Sequence, residues 1–367
     1  TNPPLFKDEP YLLFVNKIIG FLTFAENHNT IRFVERILIK ILKILTFKEI
    51  IDEYKNAKLF KSTINELGHI DIFHFNNGGY PGKRAGITAL FIAKKMGVKK
   101  TIMTVHNIPS IKSWYRLFDH VSDYFINNYC DYLICPSETI KENIINMRGI
   151  NPGKLKIIHH GVDPIKKLMK EEESVYKKNL YISNKELILL IVGHLDEERK
   201  GHVELFKALS LINDKMPPYK LLVVGDGERF KFLKHLACDL NISKNVSLLG
   251  YRQDIRELNL VADILLQPST AFEGIPYSIR DAMSARTPII ASSVGGIKES
   301  VENDKNGYLV DGGNINQLSR AILSLCKSKE RRVEMGIISE KMFLNKFLLD
   351  EMVKKHENFY LDILSNG

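Results

Sequence analysis

The chain holds four cysteines in 367 residues, and none is paired at metal-ligand spacing. Cys130, Cys135, Cys238 and Cys326 each sit among apolar neighbours. That excludes a disulfide scaffold or a zinc ribbon and predicts buried, reduced thiols, as in a cytoplasmic protein. Long hydrophobic runs are also lacking. The longest, Tyr11 to Ala25, is interrupted by Asn16 and Lys17 and is too short to cross a bilayer. No secretory leader is visible. A third glycine is missing where a dinucleotide-binding loop needs one, because Phe230 follows Gly225-x-Gly227 at that place. The aromatics do not cluster with the lysines, which argues against nucleic acid.

Strand and helix patterns alternate through both halves. In the first, 70–75, 101–105, 132–135 and 155–158 read as short buried strands separated by helices near 84–96, 113–129 and 137–147. In the second, strands near 187–192, 221–224, 246–249, 264–266, 288–291 and 308–310 alternate in the same way. Apolar runs of this length between helices predict α/β architecture with parallel sheets covered on both faces. At this length two domains are the natural expectation. The charged run 166–185 reads as the linker between them, and 346–364 as an amphipathic helix.

The segment Ala271 to Met283 carries the chemistry. Glu273 and Asp281 stand eight positions apart with Gly274, Ile275, Pro276, Tyr277 and Ser278 between them. Apolar strands on either side place Glu273 in a strand-to-helix turn. Pro276 suits the first helical position, and Asp281 then falls about five residues along, roughly 7–8 Å up the axis. Backbone N–H groups at Tyr277 and Ser278 would face outward between the two acids, an arrangement that suits an anion. Acid, anion cradle, acid describes a site for a molecule with hydroxyls at both ends and phosphate between, such as a nucleotide-sugar. His106 ends a predicted strand, Thr101 to Val105, on the side where ligands of open parallel sheets bind. It either faces Glu273 across a cleft or merely caps a loop.

This acidic segment resembles the signature of the family 4 glycosyltransferases, Glu-x7-Glu opening with Glu-Gly-x-Pro. Further pieces agree in order: Val105-His106-Asn107, Gly161-Val162-Asp163, Val192-Gly193 with Lys200-Gly201, Val224-Gly225-Asp226-Gly227, Ala262-Asp263, Pro268-Ser269, Gly295-Gly296 with Glu299, and Asn306-Gly307 with Leu309-Val310. The resemblance runs from about residue 70 to the end. It implies the GT-B fold, two Rossmann-like domains facing across a cleft. The division it suggests is 1–164 for the acceptor, 165–345 for the nucleotide-sugar, and 346–367 crossing back onto the first domain.

As implied by the resemblance, the activity is retaining transfer of a sugar from a UDP- or GDP-linked donor to a sugar or lipid-linked hydroxyl. Polysaccharide, lipopolysaccharide or glycolipid synthesis is the commonest setting. Glu273 and His106 would lie beside the transferred sugar, and Asp281 would hold the ribose. Lys200, Gly193 and the helix start would hold the diphosphate, with Arg199 or a protonated His194 standing in for the family's arginine. Asp226, Gly227, Tyr251 and Arg252 would line the base pocket. No Asp-x-Asp occurs, so neither metal nor other cofactor is expected. Three departures stand out. His194 replaces the family's arginine, exchanging a charged fork for an imidazole, a loss of ~1.5–3 kcal/mol for a charged hydrogen bond. Asp281 shortens the second acid. His160 replaces the asparagine before Gly-Val-Asp and reads as structural.

The chain opens at Thr1 without the family's first strand and Gly-rich loop, so a segment of a few dozen residues is expected to be missing. The turn Asn77 to Gly82, with Gly78 and Gly79, either shapes the acceptor side or is an ordinary βα turn. These departures keep a second reading open, a catalytically weak protein of this fold that binds or stabilises a partner; nucleotide-sugar epimerisation is a third. Up to Ile165 there are 22 Lys and Arg against 15 Asp and Glu; the remainder has 30 against 28. Within the basic half, 31–45 is an apolar helix pattern with Arg32, Arg36, Lys40 and Lys43. It either packs on the core or lies on an anionic membrane surface. The expected location is the cytoplasm, with the cytoplasmic face of the membrane as the peripheral alternative.

Overall fold

Two parallel sheets organise the chain, and their strands are the apolar runs of the sequence. The computed structural model describes residues 48–109 and 117–365. In the first half, α1 (Lys48–Leu67) leads into β1 (Ile72–Asn77), α2 (Arg84–Lys95), β2 (Lys100–Val105), α3 (Leu117–Tyr129), β3 (Tyr132–Cys135), α4 (Glu138–Arg148) and β4 (Leu155–Ile157). The strands pair in sequence order, β1-β2-β3-β4, all parallel. The basic pattern at 31–45 lies outside the described residues.

The second half contains α5 (Lys170–Asn179), β5 (Leu187–Val192), α6 (His202–Ile212), β6 (Tyr219–Val224), α7 (Phe230–Asp239), β7 (Val246–Gly250), α8 (Ile255–Val261) and β8 (Ile264–Gln267). It continues with α9 (Tyr277–Ser284), β9 (Ile289–Ser292), β10 (Gly307–Val310), α10 (Ile315–Lys327) and α11 (Lys329–Lys346). Its sheet runs β10-β9-β8-β5-β6-β7. The order reverses at β5, which pairs with β6 on one side and β8 on the other. Such a switch point leaves a crevice outside the carboxyl ends of the two strands, where ligands of open sheets bind. The loops that leave there carry Gly193 to Lys200 and Ser269 to Glu273.

Alternation within β5 explains why the sheet needs helices on both faces. Leu189 and Ile191 join one core with Leu205, Leu209 and Ile322, while Ile188 and Leu190 join the other with Leu258, Ile279 and Phe343. Each fully buried Leu or Ile contributes about 1.5–3 kcal/mol relative to exposure. In the first sheet, Met103, Val105 and Leu133 pack on one face with Leu90 and Ile126. Ile102 and Ile134 point the other way and are covered by Ile363, Phe359 and Tyr360 of the terminal helix α12 (Leu349–Ser365). This helix therefore packs on the first sheet, although it follows the second in sequence.

Two chain crossings join the halves and lie side by side. Val162 N–H donates to Phe347 O at 2.9 Å, and Leu349 N–H donates to Val162 O at 3.2 Å. A Cβ on Gly161 would meet Leu348 O at 2.4 Å, so only glycine admits this approach. The charged run 166–185, expected to link the domains, lies between β4 and β5. Ten of its residues form α5; Tyr176 within it and Leu168 and Leu180 beside its ends pack on the second core, and the Tyr176 hydroxyl donates to Asp254. Of the cysteines, Cys238 is exposed on α7, whereas the other three are buried.

Candidate functional site

Glu273 is placed by β8. The strand ends in Gln267, a polar side chain 1% exposed, which starts a buried chain of hydrogen bonds. Ser278 Oγ donates to Gln267 Oε1 at 3.1 Å, Gln267 Nε2 donates to Ser269 Oγ at 3.0 Å, and Ser269 Oγ donates to Glu273 Oε1 at 3.2 Å. Glu273 itself is only 7% exposed, a correction to its expected place as an open cleft acid. A buried carboxylate needs a partner, and the loop after β5 provides two. Arg199 Nη1 lies 2.6 Å and Lys200 Nζ 2.8 Å from Glu273 Oε1. Arg199 is further fixed by Phe272 O at 3.1 Å and by Glu197.

His106 follows β2 in the facing sheet. It lines with Glu273 a cavity of about 310 Å³ between the two halves. Asn107, Pro136 and His160 complete the first-half wall; Gly274 to Tyr277 and Arg280 form the other; Phe347, at the crossing, lies between them. The His106 ring stacks on His160 with centroids 4.7 Å apart, and Nδ1 of His106 is 2.7 Å from Nε2 of His160. His106 Nε2 reaches Asn76 Oδ1. Since that oxygen accepts, the network puts the His106 proton on Nε2 and leaves Nδ1 to accept from His160. Burial lowers the pKa of His106 and, with His106 and Arg280 as neighbours, brings that of His160 down to about 3, so both rings favour the neutral form. His160, expected to be structural, lines the same cavity.

Arg280, which the sequence did not single out, is 2% exposed and bridges the halves. Its Nη1 donates to His160 O at 3.0 Å and its Nη2 to Ile275 O at 2.7 Å, with the guanidinium 4.1 Å from the centre of the Tyr277 ring.

Two family models match the chain, "Glycosyltransferase Family 4" over residues 22–166 and "Glycosyl transferases group 1" over residues 172–342. The chain belongs to the family 4 glycosyltransferases. It is 27% identical over 348 residues to a UDP-Gal:alpha-D-GlcNAc-diphosphoundecaprenol alpha-1,3-galactosyltransferase of Escherichia coli, covering 91% of this chain and 84% of that one. It is 26% identical over 249 residues to an N-acetyl-alpha-D-glucosaminyl L-malate synthase of Bacillus anthracis, covering 66% and 64%. Two solved structures share the fold. A glycosyltransferase from Rickettsia africae superposes with a TM-score of 0.75 at 22% identity, covering 85% of this chain and 82% of that one. The Anabaena protein HepE in complex with UDP gives 0.73 at 21%, covering 83% and 82%. The fold is GT-B.

The other positions expected to hold the nucleotide lie after β5, β6 and β7 and on α9. His194 is exposed beside the half-buried Gly193, and Asp226 and Gly227 follow β6. Tyr251 is 74% exposed after β7. Arg252 is paired with Asp254 through Nε at 2.7 Å; this arginine holds the Asp254 carboxyl down to about 2. Pro276 caps α9 rather than opening it, and the first helical residues are Tyr277 and Ser278. Asp281 lies one turn in, its pKa raised by burial, with Arg256 Nε 3.9 Å away. On the first-half rim Gly78 O accepts from Asn107 Nδ2 at 2.8 Å and Gly79 O accepts from Asn77. His159 Nδ1 is 2.8 Å from Pro136 O, His69 pairs with Asp71, and His74 ties Tyr360 to Thr104 at 2.7 Å each. Among the described residues no three His, Cys, Asp or Glu side chains are grouped to hold a metal ion, and no helix is long and apolar enough to cross a membrane.

Proposed function

We propose that this glycosyltransferase moves a sugar with retention from a nucleotide-sugar to a hydroxyl of a sugar or lipid-linked acceptor, in polysaccharide, lipopolysaccharide or glycolipid synthesis. The observation that carries the reading is the convergence of Arg199 and Lys200 on Glu273 at the switch point, opposite His106 in one cavity. Residues 1–164 then present the acceptor, 165–345 hold the donor, and 346–367 cross back. The E. coli relative is named for a UDP-sugar and a Mycobacterium tuberculosis relative for GDP-mannose. A UDP- or GDP-linked donor fits both. An anionic membrane surface is the corresponding partner for a lipid-linked acceptor.

The residues supply the parts that the reaction needs. Glu273 faces the donor sugar while its two cations extend to the diphosphate, where charged hydrogen bonds are worth about 1.5–3 kcal/mol each. The α9 N-terminus at Tyr277 and Ser278 adds backbone N–H groups. Gly193, His194, Asp226, Gly227, Tyr251 and Arg252 surround the rest of the nucleotide, and Asp281 the ribose. The acceptor oxygen bonds to the anomeric carbon on the face from which the diphosphate departs. The anomeric carbon–oxygen bond breaks, and the acceptor proton passes to the departing phosphate oxygen. His106, neutral and with both ring nitrogens engaged by Asn76 and His160, packs beside the sugar and is not a base. No metal takes part.

Titration calorimetry with UDP, GDP and ADP, followed by turnover of the matching sugar nucleotides, tests this reading. Binding of one uridine or guanosine diphosphate and transfer to an added hydroxyl acceptor are expected. Binding of none would overturn it, and donor turnover without acceptor would indicate epimerisation.

A further inference from the structure

The 3₁₀ turn Gly295–Glu299, between β9 and β10, touches both halves of the molecule. At one end it holds the backbone of Glu273. Gly296 N–H donates to Glu273 O at 2.9 Å. Gly295, at φ +53°, comes so close that a Cβ would lie 1.9 Å from the same oxygen and 2.9 Å from the Phe272 ring.

At the other end Glu299 reaches into the first half. Its Oε2 accepts from Glu138 N–H at 2.9 Å, and its Oε1 accepts from Thr139 N–H and the Thr139 hydroxyl at 2.9 Å each. These amides open α4. The side chain of the helix's own cap, Ser137, accepts only the next one, Ile140 N–H, at 3.2 Å. The first amides of a helix have no partner within it and favour negative charge. Here the carboxylate comes from a residue 161 positions away, in the other half. Lys346 Nζ donates to Glu299 O at 2.7 Å and fixes the far end of the turn.

We propose that Glu299 is a positioning residue. By closing on the N-terminus of α4 it immobilises the turn that holds Glu273, so closure of the halves and placement of the Glu273 carboxylate are one event. This rests on the reading of Glu273 as the group beside the transferred sugar. Glu299 itself lines no part of the cavity and acts through the five residues that connect the two grips.

The test uses the full chain and Glu299→Ala, Glu299→Gln and Thr139→Ala, read in four ways. Glu299→Ala is expected to lower kcat tenfold or more while UDP affinity, measured by calorimetry, stays within twofold. Small-angle scattering should show a larger radius of gyration, and the Gly296 amide should exchange faster with deuterium. Glu299→Gln should recover part of kcat, because its single amide oxygen still accepts one of the two backbone N–H groups while its NH2 cannot accept the other. Thr139→Ala should move the same readouts less and serves if Glu299→Ala does not fold. An unchanged radius, an unchanged Gly296 exchange rate, or no recovery by glutamine would each overturn the proposal. If wild type neither binds nucleotide nor transfers sugar, the functional reading fails separately. Scattering and exchange then decide whether Glu299 couples the two grips.

Discussion

Lys200 and Glu273 meet at 2.8 Å although they leave different strands of the second sheet. Their strands, β5 and β8, are neighbours only because the strand order reverses there. With Arg199 on the same carboxylate oxygen, the site holds two cations on one buried acid.

Glu273→Gln should reduce transfer below a tenth of wild type while leaving the far-ultraviolet circular dichroism unchanged. The amide still accepts from Ser269 but gives Arg199 and Lys200 no counter-charge. Steady-state turnover of the purified variant checks this, and activity above a tenth would remove Glu273 from the reaction.

Stability should fall as the pH drops below the ordinary histidine range. Burial brings His74 and His202 down to about 4 and His160 down to about 3. Between those values and 6.5 the unfolded chain binds protons that the folded one refuses, so the stabilisation is complete above 6.5 and is lost on acidification. For a fully buried ring such as His202, about 1.4 kcal/mol is lost one pH unit below 6.5. Melting temperatures from pH 7.5 to 5 should decline, and His160→Asn should make the decline shallower. A flat profile would contradict the burial argument.

His194→Arg should tighten donor binding. His194 is exposed where the family resemblance places an arginine, and Arg199 is already engaged by Glu273 and Glu197. A permanent cation facing the diphosphate should improve affinity about tenfold. His194→Ala should bind no better than wild type. If calorimetry gives equal affinities for His194→Arg and wild type, His194 does not face the diphosphate.

Transfer should survive chelation. Activity in excess EDTA within twofold of the untreated rate is the expected result. Loss that magnesium or manganese restores would require a metal in the reaction.

The strands were legible in the sequence because each is a short apolar run between amphipathic helices. β5, expected at 187–192, is Leu187–Val192. The segment around Glu273 was legible because acid, glycine and proline fall at fixed spacing. Its surroundings were not. Burial of Glu273 depends on Ser269 and on the loop after β5, which approach only in the folded sheet. A sole signal was Gln267, a polar residue ending an otherwise apolar strand. His160 joined His106 through a contact spanning 54 residues, and no local pattern records such a distance. The helix α5 was hidden by eight charges in the run Lys166 to Lys178 that outnumber the apolar residues it buries.

The paired crossings at Val162 and Leu348 set how the molecule can move. One strand of polypeptide between two bodies permits twisting about its own axis. Two strands, hydrogen-bonded and locked by the missing side chain of Gly161, act as a strap, stiff in torsion and compliant only in bending. Relative motion of the halves is expected to follow a bending arc about these crossings, like a book on its spine. Such a path would bring His106 back to the same address opposite Glu273, without any search over orientations.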